Sequence, residues 1–178
     1  IDMSVLARRL GDPRTVSIMH SASEDLDALS SLLPNSLGTL FDTQIAAAFC
    51  GLGAGLGYQK LVLAVCHVDL PKGETRSDWL QRPLTPSQLE YAAQDVIHLP
   101  VLHADLSARL SGRGYAEWHA EDCARMLERA RHREPDLQPQ TAYRGAAEWT
   151  REQQGRLRRV LIWRDTTARR IDKPRPWI

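Results

Sequence analysis

The sequence is poor in cysteine and has no long apolar run. Its three cysteines, Cys50, Cys66 and Cys123, are scattered without a CxxC spacing. That pattern argues against a disulfide framework and a zinc site, and it favours three reduced, buried thiols. No apolar run approaches the roughly 18 residues that a membrane span needs. No basic-then-apolar leader opens the chain, so we expect a cytoplasmic protein without membrane contact.

A glycine-rich loop at residues 51–57 also lacks the spacing of a dinucleotide-binding site. When the count starts at Gly51 or Gly53, the third required glycine is replaced by Leu56 or Tyr58. The loop follows a predicted helix, whereas the nucleotide fingerprint follows a strand. A nucleotide cofactor is therefore not expected.

Charge is uneven along the chain, although the net charge is only +1. Residues 1–100 hold seven Lys and Arg against eleven Asp and Glu, whereas residues 151–178 hold nine against three. An acidic region suits a site that gathers divalent cations, and a basic tail suits a polyanion. A solvated helix with an arginine-rich face explains the tail equally well.

The apolar patterns predict two short strands, at residues 16–19 and 39–43, with a helix between them. Either Ser21 or Ser23 is suited to cap that helix. The other predicted helices cover residues 2–10, 45–49, 58–66, 85–110, 115–132 and 147–170. A polar, proline-bearing linker is expected before the last of these helices.

The helix predicted from residue 85 begins with strong start signals. Thr85 is suited to the N-cap, Pro86 to the first helical position, and Gln88 closes a capping box. We expect this helix to run towards Leu110 with a kink at Pro100, where a backbone donor is missing.

Tyr91 and Asp95 lie four residues apart on this helix, so their side chains leave the same face about 5–6 Å apart. The small residues Ala92 and Ala93 between them leave room for a substrate. A metal-dependent hydrolase can use such a pair, because a carboxylate holds a hard cation and a phenol orients the water that the cation acidifies. A tyrosine packed in a core beside a surface aspartate is the alternative, and the spacing alone favours it.

Two further aspartates follow the predicted strands. Asp25 falls in the first turn of a helix, where acidic residues are also favoured for electrostatic reasons alone. Asp42 follows the second strand, and its expected role is to cap the next helix. The histidines show no spacing that binds zinc.

Four sequence strings occur in order between residues 1 and 110. They are His20-Ser-Ala-Ser-Glu-Asp25-Leu, Phe41-Asp42-Thr-Gln-Ile-Ala-Ala, Arg76-Ser-Asp-Trp-Leu-Gln-Arg-Pro-Leu84 and Glu90-Tyr-Ala-Ala-Gln-Asp95. Together they resemble the ribonuclease D family, the DEDD exonucleases with a tyrosine in their third motif. The resemblance implies an α/β fold of the ribonuclease-H-like 3′-5′ exonuclease type.

The resemblance implies a role for each matching residue. Asp25 matches the metal-binding aspartate of the family's second motif, and Asp95 matches that of the third. Tyr91 matches the tyrosine that positions the nucleophilic water. Two Mg²⁺ or Mn²⁺ ions are the implied cofactors. Contacts with RNA are implied at His20, Lys72 and Arg82, although packing is an equal alternative for the run that holds Arg82.

The tail resembles a second feature of the family. The stretch from Glu148-Trp through Leu161-Ile-Trp-Arg-Asp to Arg170 is similar to the opening helices of a helicase-and-RNase-D C-terminal (HRDC) domain, which is all-helical and binds nucleic acid. The expected organisation is an exonuclease domain over residues 1–133, a linker over 134–142 and a partial HRDC domain over 143–178.

One part of the family pattern is missing from the sequence. The family's first motif is Asp-x-Glu on an N-terminal strand, and none of the thirteen aspartates is followed two places later by Glu. Without that motif, Asp25 and Asp95 are too few to hold two ions well. We expect the motif and its strands to lie ahead of Ile1, and the chain by itself to be inactive.

The resemblance implies a 3′→5′ exoribonuclease that hydrolyses single-stranded RNA 3′ ends to 5′-mononucleotides, with tRNA precursors as its substrates. Two alternatives stay open. One is a nucleic-acid-binding protein of the same fold that has lost catalysis, and the other is a DNA 3′-5′ exonuclease.

Overall fold

A computed structural model of the chain describes residues 4–30, 37–71, 73–74, 77–131, 136–171, 173 and 178. The chain divides into two units, Ile1–His132 and Arg133–Ile178. The first unit holds two strands and seven α-helices among the described residues, and the second holds the basic tail.

The two strands pair in parallel, β1 (Val16–Met19) with β2 (Thr39–Asp42). Their register sets Met19 opposite Asp42, so both strands end at the same edge of the sheet. Parallel neighbours need a crossover connection, and α2 (Ser23–Ser30) lies in it. Both predicted strands are confirmed, and the residues that follow them are brought to one edge.

Six further helices complete the first unit. They are α1 (Ser4–Gly11), α3 (Thr43–Phe49), α4 (Tyr58–Cys66), α5 (Pro86–Ile97), α6 (Leu99–Arg113) and α7 (Ala116–Arg131). No helix in the described part of the chain combines the length and the apolar character that crossing a membrane requires.

The prediction of one kinked helix from residue 85 to residue 110 is wrong. The chain forms two helices, and His98 is both the last cap of α5 and the first cap of α6. Pro100 lies at the start of α6, where the missing N–H would have no helical partner anyway. The helix therefore breaks two residues ahead of the proline rather than bending at it.

Helix α6 supplies the centre of the larger of two apolar clusters. Leu102, Leu106 and Leu110 repeat every four residues and are at most 2% exposed. They pack with Leu61 and Val62 of α4 and with further residues of β2 and α3. A smaller cluster joins α2 and β2 to α7. The sheet edge is thus fixed by helices on both sides.

The three cysteines are free thiols. Cys50 and Cys123 are buried, as expected, whereas Cys66 is only partly buried, so that part of the prediction is wrong. Cys66 is the last residue of α4, where the helix reaches the surface. Burial raises the pKa of the Cys123 thiol to about 11, which makes it a packing residue rather than a nucleophile.

The second unit contains one long helix, α8 (Arg151–Arg170), preceded by two short 3-10 turns. The predicted start of this helix at residue 147 is wrong by four residues. Thr150 is the N-cap, and it forms a capping box with Gln153. This reciprocal pair satisfies the first free N–H groups, so the helix begins after Thr150.

Candidate active-site cleft

Asp25 and Asp95 border one cleft of about 620 Å³ beside the end of β1. His20 and Tyr58 are its other polar lining residues, and the rest of the lining is apolar. The sequence separates the two aspartates by seventy positions. The fold therefore brings together two of the three residues expected to be catalytic, with His20 beside them.

The turn after β1 carries Asp25 to the cleft. His20 follows the strand, and its Nδ1 lies 2.9 Å from the hydroxyl oxygen of Thr43. Ser21 adopts a left-handed conformation with φ 57°. Ala22 precedes α2, and its carbonyl accepts the Leu26 N–H at 2.8 Å, so the prediction of a cap at Ser21 or Ser23 is wrong. Asp25 then lies in the first turn of the helix.

Asp42 caps the next helix, as the sequence predicts. Its side chain accepts hydrogen bonds from the backbone N–H groups of Gln44 and Ile45 at the start of α3. Its side chain lines neither of the cavities described for the first unit. Asp42 therefore makes no direct contact with the cleft, although its negative charge reaches Asp25.

Helix α5 carries Tyr91 and Asp95. The predicted capping box between Thr85 and Gln88 is present, with Pro86 in the first turn. Tyr91 and Asp95 both border a second cavity of about 210 Å³. Asp95 also borders the larger cleft, so it lies where the two cavities adjoin.

Asp25 and Asp95 are both exposed to solvent, and each carboxyl is only partly desolvated by its neighbours. Burial raises the pKa of Asp95. Burial also raises the pKa of Asp25, and the nearby negative charges of Glu24 and Asp42 raise it further. No hydrogen bond or ion pair from a described residue reaches either carboxylate. A cation in the cleft would favour the charged form of both carboxyls.

The donor chemistry of this pair fits a hard divalent cation, because such ions take carboxylate oxygens. The described residues nevertheless contain no group of three or more His, Cys, Asp or Glu side chains arranged to hold a metal. Asp25 and Asp95 therefore provide only part of a coordination shell.

Tyr91 is packed against the loop that precedes α5. Its ring centroid lies 5.9 Å from that of Trp79. A Cβ atom added at Gly73 would lie 3.1 Å from the Tyr91 ring, so the loop backbone comes close to the phenol. The Trp79 indole N–H donates to the carbonyl of Glu74 (3.1 Å), which fastens the loop to itself.

Of the two predicted RNA contacts that the structure describes, His20 borders the cleft and Arg82 does not. Arg82 is exposed, lines neither cavity, and donates to the carbonyls of Trp79 and Gln81. Trp79 packs on Tyr91, so part of this run has the packing role that was the alternative. Lys72 lies outside the described residues.

Tyr58 is a lining residue that the sequence did not indicate. Its hydroxyl donates to the carbonyl of Gln94 (3.1 Å), and its ring meets the edge of His20 at 5.6 Å between centroids. It thus joins α4 and α5 beside Asp95. The contact with Gln94 spans 36 positions, and no local pattern predicts contacts of that range.

Comparison with known proteins gives consistent matches. Residues 1–111 match the family described as 3′-5′ exonuclease. Ribonuclease D of Xanthomonas oryzae pv. oryzae is 49% identical over 163 residues, which cover 92% of this chain and 45% of the relative. Ribonuclease D of Pseudomonas paraeruginosa is 45% identical over 177 residues, covering 98% and 46%. The chain thus spans about half the length of these curated relatives.

Solved structures agree. The crystal structure of Escherichia coli RNase D, an exoribonuclease involved in structured RNA processing, matches with a TM-score of 0.76 and 33% identity, over 99% of this chain and 47% of that one. Brucella melitensis NrnC with bound Mg²⁺ matches with a TM-score of 0.63 and 27% identity, over 70% and 61%. NrnC bound to pGG matches with a TM-score of 0.64 and 28% identity, over the same shares. The predicted ribonuclease-H-like exonuclease fold is confirmed. The chain belongs to the 3′-5′ exonuclease family, and the two curated relatives described above are ribonuclease D proteins.

Proposed function

We propose that the protein that contains this chain is a metal-dependent 3′→5′ exoribonuclease. The observation that carries this proposal is the cleft that Asp25 and Asp95 share. Two carboxylates without a partner among the described residues, held beside one cleft, are suited to bind divalent cations rather than to stabilise the fold. The family membership supports the same chemistry.

Each residue has a distinct role in the proposal. Asp25 and Asp95 hold divalent ions, Mg²⁺ or Mn²⁺. Such ions polarise the scissile phosphate and acidify the attacking water when they are bound. Tyr91, packed between Trp79 and the backbone of Gly73, orients that water. The Mg²⁺ in NrnC supports the choice of metal.

RNA 3′ ends are the proposed substrate, and tRNA precursors are the specific class. The E. coli relative acts in structured RNA processing, and NrnC binds pGG. A cleft beside the sheet edge suits a single strand, because the scissile phosphate must reach both carboxylates. Location in the cytoplasm stays a prediction.

Oligomers that carry a label at the 3′ end test the reaction and its substrate together. The full-length gene product with Mn²⁺ should release labelled mononucleotides from single-stranded RNA faster than from DNA of the same sequence. Faster release from DNA would replace this proposal with a DNA exonuclease. The chain 1–178 alone should release little from either substrate, since the described residues supply only part of a metal shell.

A second candidate function is compatible with the same residues. The described residues form no set of three candidate metal ligands, which is also expected of a nucleic-acid-binding protein without catalysis. The same assay separates the two, because such a protein would bind RNA and release no mononucleotide at any metal concentration.

Tyr91→Phe should lower the turnover number about tenfold, a smaller loss than removal of a metal ligand causes. The ring and its packing on Trp79 are kept, and only the hydroxyl that orients water is lost. Tyr115→Phe is the matched control, because Tyr115 packs with Phe49 and Trp118 and lines neither cavity. Steady-state RNA hydrolysis measures the effect. A loss no larger than that of the control would refute the role of Tyr91.

We also propose that residues 143–178 begin an HRDC domain that binds nucleic acid. Arg159, Arg169 and Arg170 of α8 are exposed, and Trp163 is 60% exposed on the same helix. Exposed cations beside an aromatic ring suit a phosphate backbone and its bases. The two arginines of α8 with acidic partners, Arg156 and Arg164, contribute less.

Replacing Arg159, Arg169 and Arg170 together by Gln should weaken RNA binding and flatten its salt dependence. Each phosphate contact with a single strand contributes about 0.7 to the slope of log K against log salt, so the slope should fall by about 2. Fluorescence anisotropy at several salt concentrations measures it. Arg125→Gln, in an ion pair with Asp122, is the control. An unchanged slope in the triple variant would contradict the proposal.

A further inference from the structure

The side chain of Asp42 is fully buried and accepts four backbone hydrogen bonds. Its Oδ1 accepts from the N–H groups of Gln44 (2.7 Å), Ile45 (3.2 Å) and Ser21 (3.3 Å). Its Oδ2 accepts from the N–H of Ala22 (2.8 Å). One carboxylate therefore meets two separate segments of the chain.

Capping accounts for only half of these bonds. An N-cap side chain satisfies free N–H groups of the helix that follows it, which here belong to Gln44 and Ile45. The bonds to Ser21 and Ala22 reach back about twenty positions to the turn between β1 and α2. These two bonds do not stabilise the start of α3. They hold the turn between β1 and α2 instead.

That turn sets where α2 begins. Ser21 has φ 57°, a conformation that costs energy for residues other than glycine. Charge-assisted hydrogen bonds from the turn to a carboxylate are strong enough to hold it. Ala22 is completely buried, and Asp25 follows three residues later. The position of Asp25 in the cleft thus depends on the turn that Asp42 holds.

Asp42 is itself fixed from the other side. The His119 side chain of α7 lies with its Nε2 3.1 Å from the Asp42 carbonyl oxygen. The Asp42 N–H donates to the Cys123 sulfur at 3.5 Å. Both partners are buried. Two buried residues of α7 therefore hold the backbone of Asp42, and this fixes the position from which its carboxylate binds the turn.

We propose that Asp42 is a positioning residue that places Asp25 for metal binding by holding the turn at Ser21 and Ala22. The inference rests on the proposed function, because it assumes that Asp25 is a metal ligand. Asp42 borders neither cavity, so it acts without touching substrate or metal. Its negative charge also lies near Asp25, and the test has to separate that charge from the hold on the turn.

Asp42→Asn separates positioning from capping. The asparagine has the same shape, and its carbonyl oxygen can still accept from α3. Its NH₂ group would then take the place of Oδ2 and face the Ala22 N–H. Both groups are hydrogen-bond donors, so the bond to Ala22 would be lost. Asp42→Ser is the second variant, because a hydroxyl can cap α3 but is too short to supply the second oxygen.

Calorimetric titration of the full-length gene product with Mn²⁺ provides the main readout. We expect both variants to bind Mn²⁺ roughly tenfold more weakly, the loss typical for a group that orients a metal ligand. Hydrogen exchange at the Ser21 and Ala22 amides should accelerate in both, which distinguishes a loosened turn from the loss of the Asp42 charge near Asp25. Unchanged exchange at these amides would overturn the positioning role. Leu110→Ala is the control for general loss of stability, since Leu110 is buried in the larger apolar cluster and lines neither cavity. It should lower the melting temperature without weakening Mn²⁺ binding.

The outcomes separate this inference from the proposed function. Mn²⁺ affinity equal to that of the unchanged protein in a folded Asp42→Asn or Asp42→Ser variant would overturn the positioning role, provided that Asp25→Asn weakens binding. If Asp25→Asn leaves both Mn²⁺ binding and RNA hydrolysis unchanged, the proposed function itself fails. A loss of affinity in Leu110→Ala as large as in the Asp42 variants would also overturn the inference.

Discussion

Asp95→Asn in the full-length gene product is expected to lower the turnover number for RNA at least about a hundredfold and to leave RNA affinity nearly unchanged. The asparagine keeps the size of the side chain but loses the negative charge that holds a cation. No described residue pairs with the Asp95 carboxylate, so the fold should tolerate the change. Asp95 borders both cavities, which makes it the one described residue that lies beside Asp25 in the cleft and beside Tyr91 in the second cavity.

Steady-state hydrolysis and fluorescence anisotropy measure turnover and binding for Asp95→Asn. The matched control is Asp122→Asn, because Asp122 is a helical aspartate in a surface ion pair with Arg125 and lines neither cavity. Such pairs contribute little to stability. Activity of Asp95→Asn above about a hundredth of that of the unchanged protein would argue that Asp95 is not a metal ligand.

Removal of divalent cations is expected to have the second large effect. EDTA should abolish RNA hydrolysis, and Mn²⁺ or Mg²⁺ should restore it. A ligand that binds only the folded state stabilises it by about 2.7 kcal/mol at a hundred times its dissociation constant. Mn²⁺ should therefore also raise the melting temperature, which is a readout independent of catalysis.

Variants at the cleft identify where the stabilising ion binds. Asp25→Asn and Asp95→Asn should each lose most of the rise in melting temperature that Mn²⁺ causes, whereas Asp122→Asn should keep it. Differential scanning fluorimetry gives the melting temperatures. Hydrolysis that persists in EDTA, or a full Mn²⁺ effect in Asp25→Asn, would place the metal elsewhere.

The sequence predicted correctly those helix starts and strands that depend on residues close together in the chain. The start of α5 follows from Thr85, Pro86 and Gln88, because a capping box needs only residues within one turn. The two strands and α4 have clear apolar patterns, and they lie where the sequence places them. The role of Asp42 as a cap is likewise local, since its partners lie two and three residues away.

Features that depend on tertiary packing were not predictable in the same way. The hydrogen bonds that link Asp42 with Ser21 and Ala22 are such a feature, because no spacing rule links these positions.

The break at His98 arises because Pro100 can serve as an early residue of a new helix. The same proline pattern is equally compatible with a kink.

In the candidate site, too, contacts within one helix were predictable and contacts between elements were not. Helical periodicity placed Tyr91 and Asp95 on one face, and they do border one cavity. Periodicity cannot bring Asp25 to Asp95, because their separation depends on how β1, α2 and α5 pack. In the sequence, only the ordered set of four family strings connects Asp25 with Asp95. Tyr58, which joins α4 to α5 at the cleft, had no signal of either kind.

The central claim is that Asp25 and Asp95 act as one metal-binding site. The most direct test is RNA hydrolysis by Asp25→Asn, Asp95→Asn and the double variant, measured under identical conditions. Residues that serve one site lose activity non-additively. We therefore predict that each single variant loses at least about a hundredfold and that the double variant loses little more than either one. Losses that multiply in the double variant, or a single variant that retains activity, would contradict the account.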